Sequence, residues 1–234
     1  MKNDGGIGDG DDVAPPAYLL HTEESEPGET TAGGPANRIA ATRASLLGAA
    51  REVFALQGYH NATVTEIVQR SGTSTGSLYN RFGGKENLYL ELHRQYTRRL
   101  WAAVLGAMDR ARHDGAGSDG VAEPIRRFLA GTRALLAQCW AERDLVALFF
   151  SSGPPGFDAL SISVERRWVD ANTGFLQIAD RRRGWELASA ITGVIVAGAK
   201  RIIRAADIDE AADIAEFYVG LVGRLAVSDL SSLD

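Results

Sequence analysis

The stretch Ser71–Phe82, SGTSTGSLYNRF, opens with seven consecutive residues that are each Ser, Thr or Gly, and it lies between segments that both read as helix. Such a run is either a flexible connector or a place where the backbone must admit something bulky. Just upstream, Thr63-Val-Thr-Glu66 has the Thr-x-x-Glu form of a capping box. It predicts a short helix to about Ser71 that buries Val64, Ile67 and Val68 and is turned off by Gly72. Downstream, Ser74 is placed to cap a further helix whose first turn is Thr75, Gly76 and Ser77 and whose body is Leu78 to Phe82. Two short helices joined by a tight turn, the second opening on small polar residues, make a helix-turn-helix, and the small residues let that helix end enter a major groove. A three-helix packing element with a polar turn is the alternative that this stretch alone leaves open.

On the N-terminal side, Ile39, Leu46, Ala50, Val53 and Phe54 share one face at helical spacing, with Arg38, Arg43 and Arg51 off it and Gly58 as the stop. On the C-terminal side, Gly83-Gly84 breaks the chain and Lys85 restarts it as a long helix to about Arg112. Gly83-Gly84-Lys85 is no phosphate loop, since Glu86 follows the lysine and no strand precedes it. Further on, residues 113–120 read as a loop. Pro124 suits a first helical position and opens a helix through Phe128 and Leu136. A break at residues 151–156 precedes a helix over 162–178. Two apolar helices, carrying Leu187 to Ile202 and Ile214 to Leu225, close the chain, and Arg181-Arg182-Arg183 reads as the solvated loop before them. With no alternating strand run and no fixed repeat, the class is all-α.

Charge divides the chain. Residues 1–37 carry a net −7, residues 38–100 a net +5 and the remainder −3, so a basic segment sits inside an acidic protein of net −5. That asymmetry points to a module that faces a polyanion. Residues 1–37, rich in Gly, Asp, Glu, Pro and Thr without an apolar period, read as a disordered acidic tail. Its Asp9-Gly-Asp-Asp12 start of a calcium loop fails where Ala14 and Leu20 replace the required glycine and glutamate. No run is apolar and long enough to span a bilayer, and the N-terminus lacks the form of a signal peptide, which gives the expectation of a cytoplasmic protein. Cys139, a single cysteine, excludes an intramolecular disulfide and reads as a small buried apolar side chain. His21, His60, His93 and His113 lack ligand spacing, so no metal is expected. Nucleophile-elbow, HExxH, phosphate-loop and dinucleotide signatures are absent, and no enzymatic activity or cofactor is expected.

From Arg38 to about Leu92 the chain resembles the DNA-binding domain of the TetR family of transcriptional regulators, through FALQGY, then ATVTEIVQRSG, then TSTGSLYNRFGGKENLYLEL. The resemblance implies an N-terminal helix-turn-helix domain (38–92), a helical ligand-binding and dimerisation domain (93–228) and a short C-terminal tail (229–234). It further implies a homodimer on an inverted-repeat DNA operator, released by a small-molecule inducer, repression being the family's usual mode. By position, Thr75, Gly76 and Ser77 begin the recognition helix, and Tyr79 and Asn80 touch backbone or a base edge. Thr63 and Lys85 meet phosphates, and Arg43 adds a phosphate contact from the first helix. Asn80 suits adenine and Thr75 a thymine methyl or a polar edge. Two positions depart from the family pattern: Thr73 stands where a larger apolar residue is usual, and Thr75 where a basic one is frequent.

For an apolar or aromatic effector the candidate pocket walls are Phe128, Trp140, Phe149, Phe150, Trp168 and Phe175, each of which also reads as plain core. Binding there is expected to move the long helix after Lys85. The candidate dimer interface is Leu187, Ile191, Val194, Gly198 and Ile202 with Phe217, Leu221 and Leu225, forming a four-helix contact; an internal helix pair is the alternative.

Overall fold

The apolar stripes close into helices from Pro35 to Leu230 in a computed structural model that describes residues 34–113, 122–151, 153–176 and 180–230. Among the described residues there are nine helices and no strand: α1 (Pro35–Asn61), α2 (Val64–Ser71), α3 (Thr75–Phe82), α4 (Lys85–His113), α5 (Glu123–Ala141), α6 (Arg143–Ser151), α7 (Phe157–Leu176), α8 (Arg181–Ile202) and α9 (Ile208–Leu230). Residues 1–33 of the acidic tail, most of the loop at 113–120 and the last four residues lie outside the described residues. No helix among them is long and apolar enough to cross a membrane.

Local signals set most helix ends. Pro124 sits in the first turn of α5, where its missing N–H breaks no helical bond. Gly58, with φ 76° and ψ 171°, interrupts α1 where the sequence places the stop, and a short further turn runs to Asn61. Leu46, Ala50, Val53 and Phe54 are buried as their spacing requires, but Ile39 is 52% exposed. It lies in the first turns of α1, where residues 36–41 are all exposed and no other helix covers its stripe. Arg181-Arg182-Arg183 is not a loop but the first turn of α8. Asp180 caps it, its carboxylate accepting from the Arg182 and Arg183 amides at 2.9 and 3.1 Å.

One break was invisible to composition. α5 stops at Ala141 and α6 starts at Arg143 with no glycine or proline between them. Glu142, 8% exposed, occupies the bend because Arg99 of α4 grips its carboxylate at 2.6 to 3.2 Å. Beside it, Arg51 of α1 donates from Nε and from a terminal nitrogen to the two oxygens of Asp144, at 2.6 and 2.7 Å. This two-point clamp ties the start of α6 to α1.

α4 belongs to both halves of the molecule, so the division expected after residue 92 falls inside a continuous helix. A single buried cluster runs from Leu46 of α1 to Ala226 of α9. Its hinge is Tyr89, fully buried, whose ring meets Phe54 and Tyr59 of α1 at 5.7 and 5.2 Å and Phe149 of α6 at 5.5 Å. Burying such a ring contributes about 1.5–3 kcal/mol through area alone.

Candidate nucleic-acid interface and ligand cavity

The turn between α2 and α3 is built from reciprocal local bonds. The Thr63 hydroxyl accepts from the Glu66 amide at 3.2 Å, and the Glu66 carboxylate accepts from the Thr63 amide at 3.0 Å. The Thr63 hydroxyl also donates to the Glu66 carboxylate at 2.7 Å, and this bond, followed by those from Gln57 and the Thr63 amide, holds the Glu66 carboxyl below its ordinary range. Gly72 ends α2 at φ 65°, a left-handed conformation that glycine adopts without a steric penalty. Ser74 accepts from the Ser77 amide at 3.1 Å. Thr73 is partly buried and its hydroxyl meets that of Ser71 at 2.7 Å, so the turn is closed by a hydrogen bond where a larger apolar side chain would have packed. Ser45 of α1 donates to the Ser71 carbonyl at 2.8 Å and fastens the end of α2.

This frame fixes which face of α3 is free. Leu78 and Phe82 are buried at 0% and 8% exposure, while Thr75, Gly76, Tyr79 and Asn80 are exposed and Ser77 is half-buried. A side chain added at Gly76 would meet nothing within 4 Å. The exposed cap of α2, Thr63, flanks this surface in sequence. The start of α3 thus offers small hydroxyls, helix-end N–H groups and open space, the chemistry that positions a helix on phosphates and base edges.

Two of the expected phosphate contacts have partners within the chain. Lys85 donates through Nζ to the carbonyl oxygens of Tyr59 and Ala62, both at 2.8 Å, and lies over the Tyr59 ring at 4.4 Å. Burial lowers its pKa. Lys85 therefore stitches the start of α4 to the end of α1 and the residue that leads into α2. Arg43 donates to Glu91 of α4 at 2.7 Å and covers the Phe82 ring. The basic count of residues 38–100 is likewise drawn inward: Arg94 and Arg98 pair with Glu91, and Arg51 and Arg99 with Asp144 and Glu142. Sequence charge alone overstated the positive surface, because Glu91 gathers three of these arginines and Glu142 and Asp144, from outside the basic segment, take Arg99 and Arg51.

Behind α4 lies a cavity of about 300 Å³ enclosed by α4 to α8, and Phe149, Phe150 and Trp168 line it as their positions led us to expect. Phe128, Trp140 and Phe175 do not. Phe128 and Phe175 border a separate void of about 10 Å³. α5 faces the cavity with Leu135 and Cys139, and Trp140, rotated about 100° from Cys139 on the helix, instead lies under the Arg143 guanidinium. The polar wall was not legible in the sequence. His93, 8% exposed, stands edge-on between Phe149 and Phe157 at 4.9 and 5.2 Å. Burial, aided by nearby Arg94, pushes its pKa down to about 4. Asn172 donates to Thr192 at 2.9 Å, which donates onward to the Ala188 carbonyl at 2.7 Å. Cys139 is buried, its Sγ 3.5 Å from the Tyr96 hydroxyl, and burial raises its pKa to about 11. Among the described residues no group of three or more His, Cys, Asp or Glu could hold a metal.

Residues 46–92, from the middle of α1 into α4, match the family model described as "Bacterial regulatory proteins, tetR family". Over these residues the chain is similar to the TetR family's helix-turn-helix domain. The HTH-type transcriptional repressor AcnR of Corynebacterium glutamicum is 41% identical over 63 residues, 27% of this chain and 34% of that protein. The chain thus spans about a third of that curated relative's length. Over the whole fold, a TetR-like transcriptional regulator from Rhodococcus sp. RHA1 superposes with a TM-score of 0.60 at 21% identity, covering 81% of this chain and 96% of the other. A structure titled SmeT-Triclosan complex superposes with a TM-score of 0.59 at 14% identity, covering 78% of this chain and 90% of the other. These two likenesses extend the TetR resemblance in fold to the helical body.

On that TetR-like body, α8 and α9 pack on each other. Three residues expected at a contact between copies face inward instead: Ile191 and Ile202 are fully buried, and Gly198 backs onto Tyr218, where an added Cβ would lie 2.9 Å from the ring. Glycine at this point lets α8 and α9 of one chain approach closely. Leu187, Val194, Leu221 and Leu225 are half-buried and Phe217 is 62% exposed. The outer stripe of the pair is completed by Ala190, Gly193 and Ala197 on α8 and Gly220 on α9, all exposed.

Proposed function

We propose that this chain is a ligand-responsive transcriptional repressor that binds an inverted-repeat operator as a homodimer in the cytoplasm. The observation that carries the reading is the exposed start of α3, with Thr75, Gly76 and Asn80 presented from a frame whose apolar side is fully packed. In this reading Thr75, Ser77 and Asn80 read base edges, Tyr79 and Thr63 meet the backbone, and Gly76 lets the duplex come close. Lys85 and Arg43 hold the domain in register through Tyr59, Ala62 and Glu91, and any phosphate contact they make is shared with those partners.

Dimerisation is assigned to the outer stripe of α8 and α9, where small residues permit close helix approach around Phe217, Leu221, Val194, Leu187 and Leu225. A two-fold dimer presents two α3 helices and so reads two-fold DNA. The effector is assigned to the 300 Å³ cavity. The similar fold found in complex with triclosan supports a small-molecule occupant of this kind of body.

Coupling follows from α6. Its Phe149 and Phe150 line the cavity, its Asp144 is clamped to α1, and Phe149 also touches Tyr89 of α4. A ligand shifts operator binding only through different affinities for two arrangements of these contacts. The test is operator selection with the purified chain, followed by binding stoichiometry and a salt titration. Two chains per inverted repeat with affinity falling steeply as salt rises is the expected result; salt-insensitive or sequence-indifferent binding contradicts it.

A further inference from the structure

The cavity contains polar side chains with unmet hydrogen-bonding capacity, and their chemistry selects an occupant. His93 is 92% buried, lines the cavity, and forms no hydrogen bond through either ring nitrogen among the described residues. An imidazole kept neutral carries one donor and one acceptor. Asn172, 4% exposed, gives its amide hydrogen to Thr192, and no donor among the described residues reaches its carbonyl oxygen. Around them stand Phe149, Phe157, Tyr96 and Trp168. The two charges in the wall, Glu165 and Lys200, are of opposite sign and both exposed, with the Lys200 ammonium over the Phe150 ring at 5.2 Å.

Resting on the effector-cavity reading above, we infer that the cavity takes an uncharged aromatic molecule bearing a hydroxyl, a phenol or naphthol, whose hydroxyl bonds to the His93 imidazole. The aromatic walls supply edge-to-face partners for its rings, and the volume suits roughly one or two fused rings. A hydroxyl can give its hydrogen to the free imidazole nitrogen, or accept one from the imidazole N–H and keep its own hydrogen for an acceptor such as the Asn172 carbonyl. A carboxylate placed at the same depth would find Arg94 already bonded to Glu91, and the wall charges Glu165 and Lys200 stand exposed to solvent, so a buried carboxylate or ammonium would lose its hydration with little compensation. Holding His93 neutral by burial, with its pKa near 4, keeps the site from becoming an anion site at neutral pH.

The test uses the full chain and four probes of one shape: 2-naphthol, naphthalene, 2-naphthoate and 2-naphthylmethylammonium, each titrated by calorimetry at pH 7. The expected order places naphthol about tenfold tighter than naphthalene, with both ions weaker than naphthol. That order is read on the native protein and needs no variant. In His93→Leu, and separately in His93→Phe, the naphthol advantage over naphthalene falls to about unity while naphthalene still binds. Tightest binding by the naphthoate or the ammonium overturns the inference, as does an undiminished naphthol advantage in both variants. Operator affinity measured with saturating naphthol separates the two levels of the argument. Naphthol that binds in the expected order but leaves operator affinity unchanged overturns the effector reading and leaves the cavity chemistry standing; binding by none of the four overturns both.

Discussion

The ring of Tyr89 stands edge-on to that of Phe157, with centroids 4.9 Å apart and planes at 88°. Phe157 lines the cavity, and the other side of Tyr89 meets Phe54 and Tyr59 of the helix-turn-helix domain. One buried ring therefore touches both the wall of the cavity and the scaffold of α2 and α3. Edge-to-face pairs contribute about 0.5–1.5 kcal/mol beyond area burial. A double-mutant cycle of Tyr89→Leu with Phe157→Leu, followed by denaturant unfolding, should return a coupling energy in that range. A cycle that closes to zero removes this pair from the account.

A second link between the halves is polar. Burial of Asp144 opposes its ionisation, yet the Arg51 bonds hold its carboxyl below the ordinary range, and the Asp144 bond in turn raises the Arg51 pKa. Both side chains are about a third exposed, so screening limits the pair to about 0.5–1 kcal/mol. Arg51→Ala should cost little more than that in stability while reducing the ratio of operator affinities measured with and without effector. An unchanged ratio assigns α6 no part in coupling.

Lys85 separates a structural role from a phosphate contact. Lys85→Met leaves the Tyr59 and Ala62 carbonyls without this donor, and an unmet bond of this kind costs about 1–3 kcal/mol. The unfolding midpoint should fall, and the salt slope of operator binding should stay unchanged. A simple phosphate contact gives the reverse, with intact stability and a slope smaller by about 0.9 per chain, roughly 1.8 for a dimer on its operator.

His93 makes stability depend on acid in a defined direction. Its folded pKa of about 4 lies below its ordinary 6.5, so between these values the unfolded chain binds the proton more readily. Its contribution is full above pH 6.5 and is lost as pH falls toward 4, by about 3 kcal/mol. Urea midpoints across that window should drop for the native protein and drop less for His93→Phe. Parallel profiles contradict the assignment.

What was legible in the sequence was local. The Thr63 to Glu66 box, the Gly72 turn and the Ser74 cap are each fixed by residues at most three positions apart, and all three form as read. What escaped needed the third dimension. The bend at Glu142 is held by Arg99 from another helix, and Lys85 finds its carbonyls more than twenty residues upstream. The free imidazole of His93 became significant only once α6 and α7 brought Phe149 and Phe157 around it. Phe128 and Phe149 look alike in sequence, and only the packing of α5 and α6 decides that one is core and the other wall.

The central claim is that the start of α3 enters DNA, and Gly76 tests it most directly. Its surroundings are open and its φ lies outside the left-handed region, so Gly76→Leu leaves the fold intact and, by helix propensity, gains about 0.5–1 kcal/mol. The measurement is footprinting of operator fragments by the native chain and by this variant, with thermal unfolding of both. The account predicts a protected inverted repeat for the native chain and its loss in a variant that unfolds at the same or a higher temperature. Equal protection by both proteins, or none by the native chain, would contradict it.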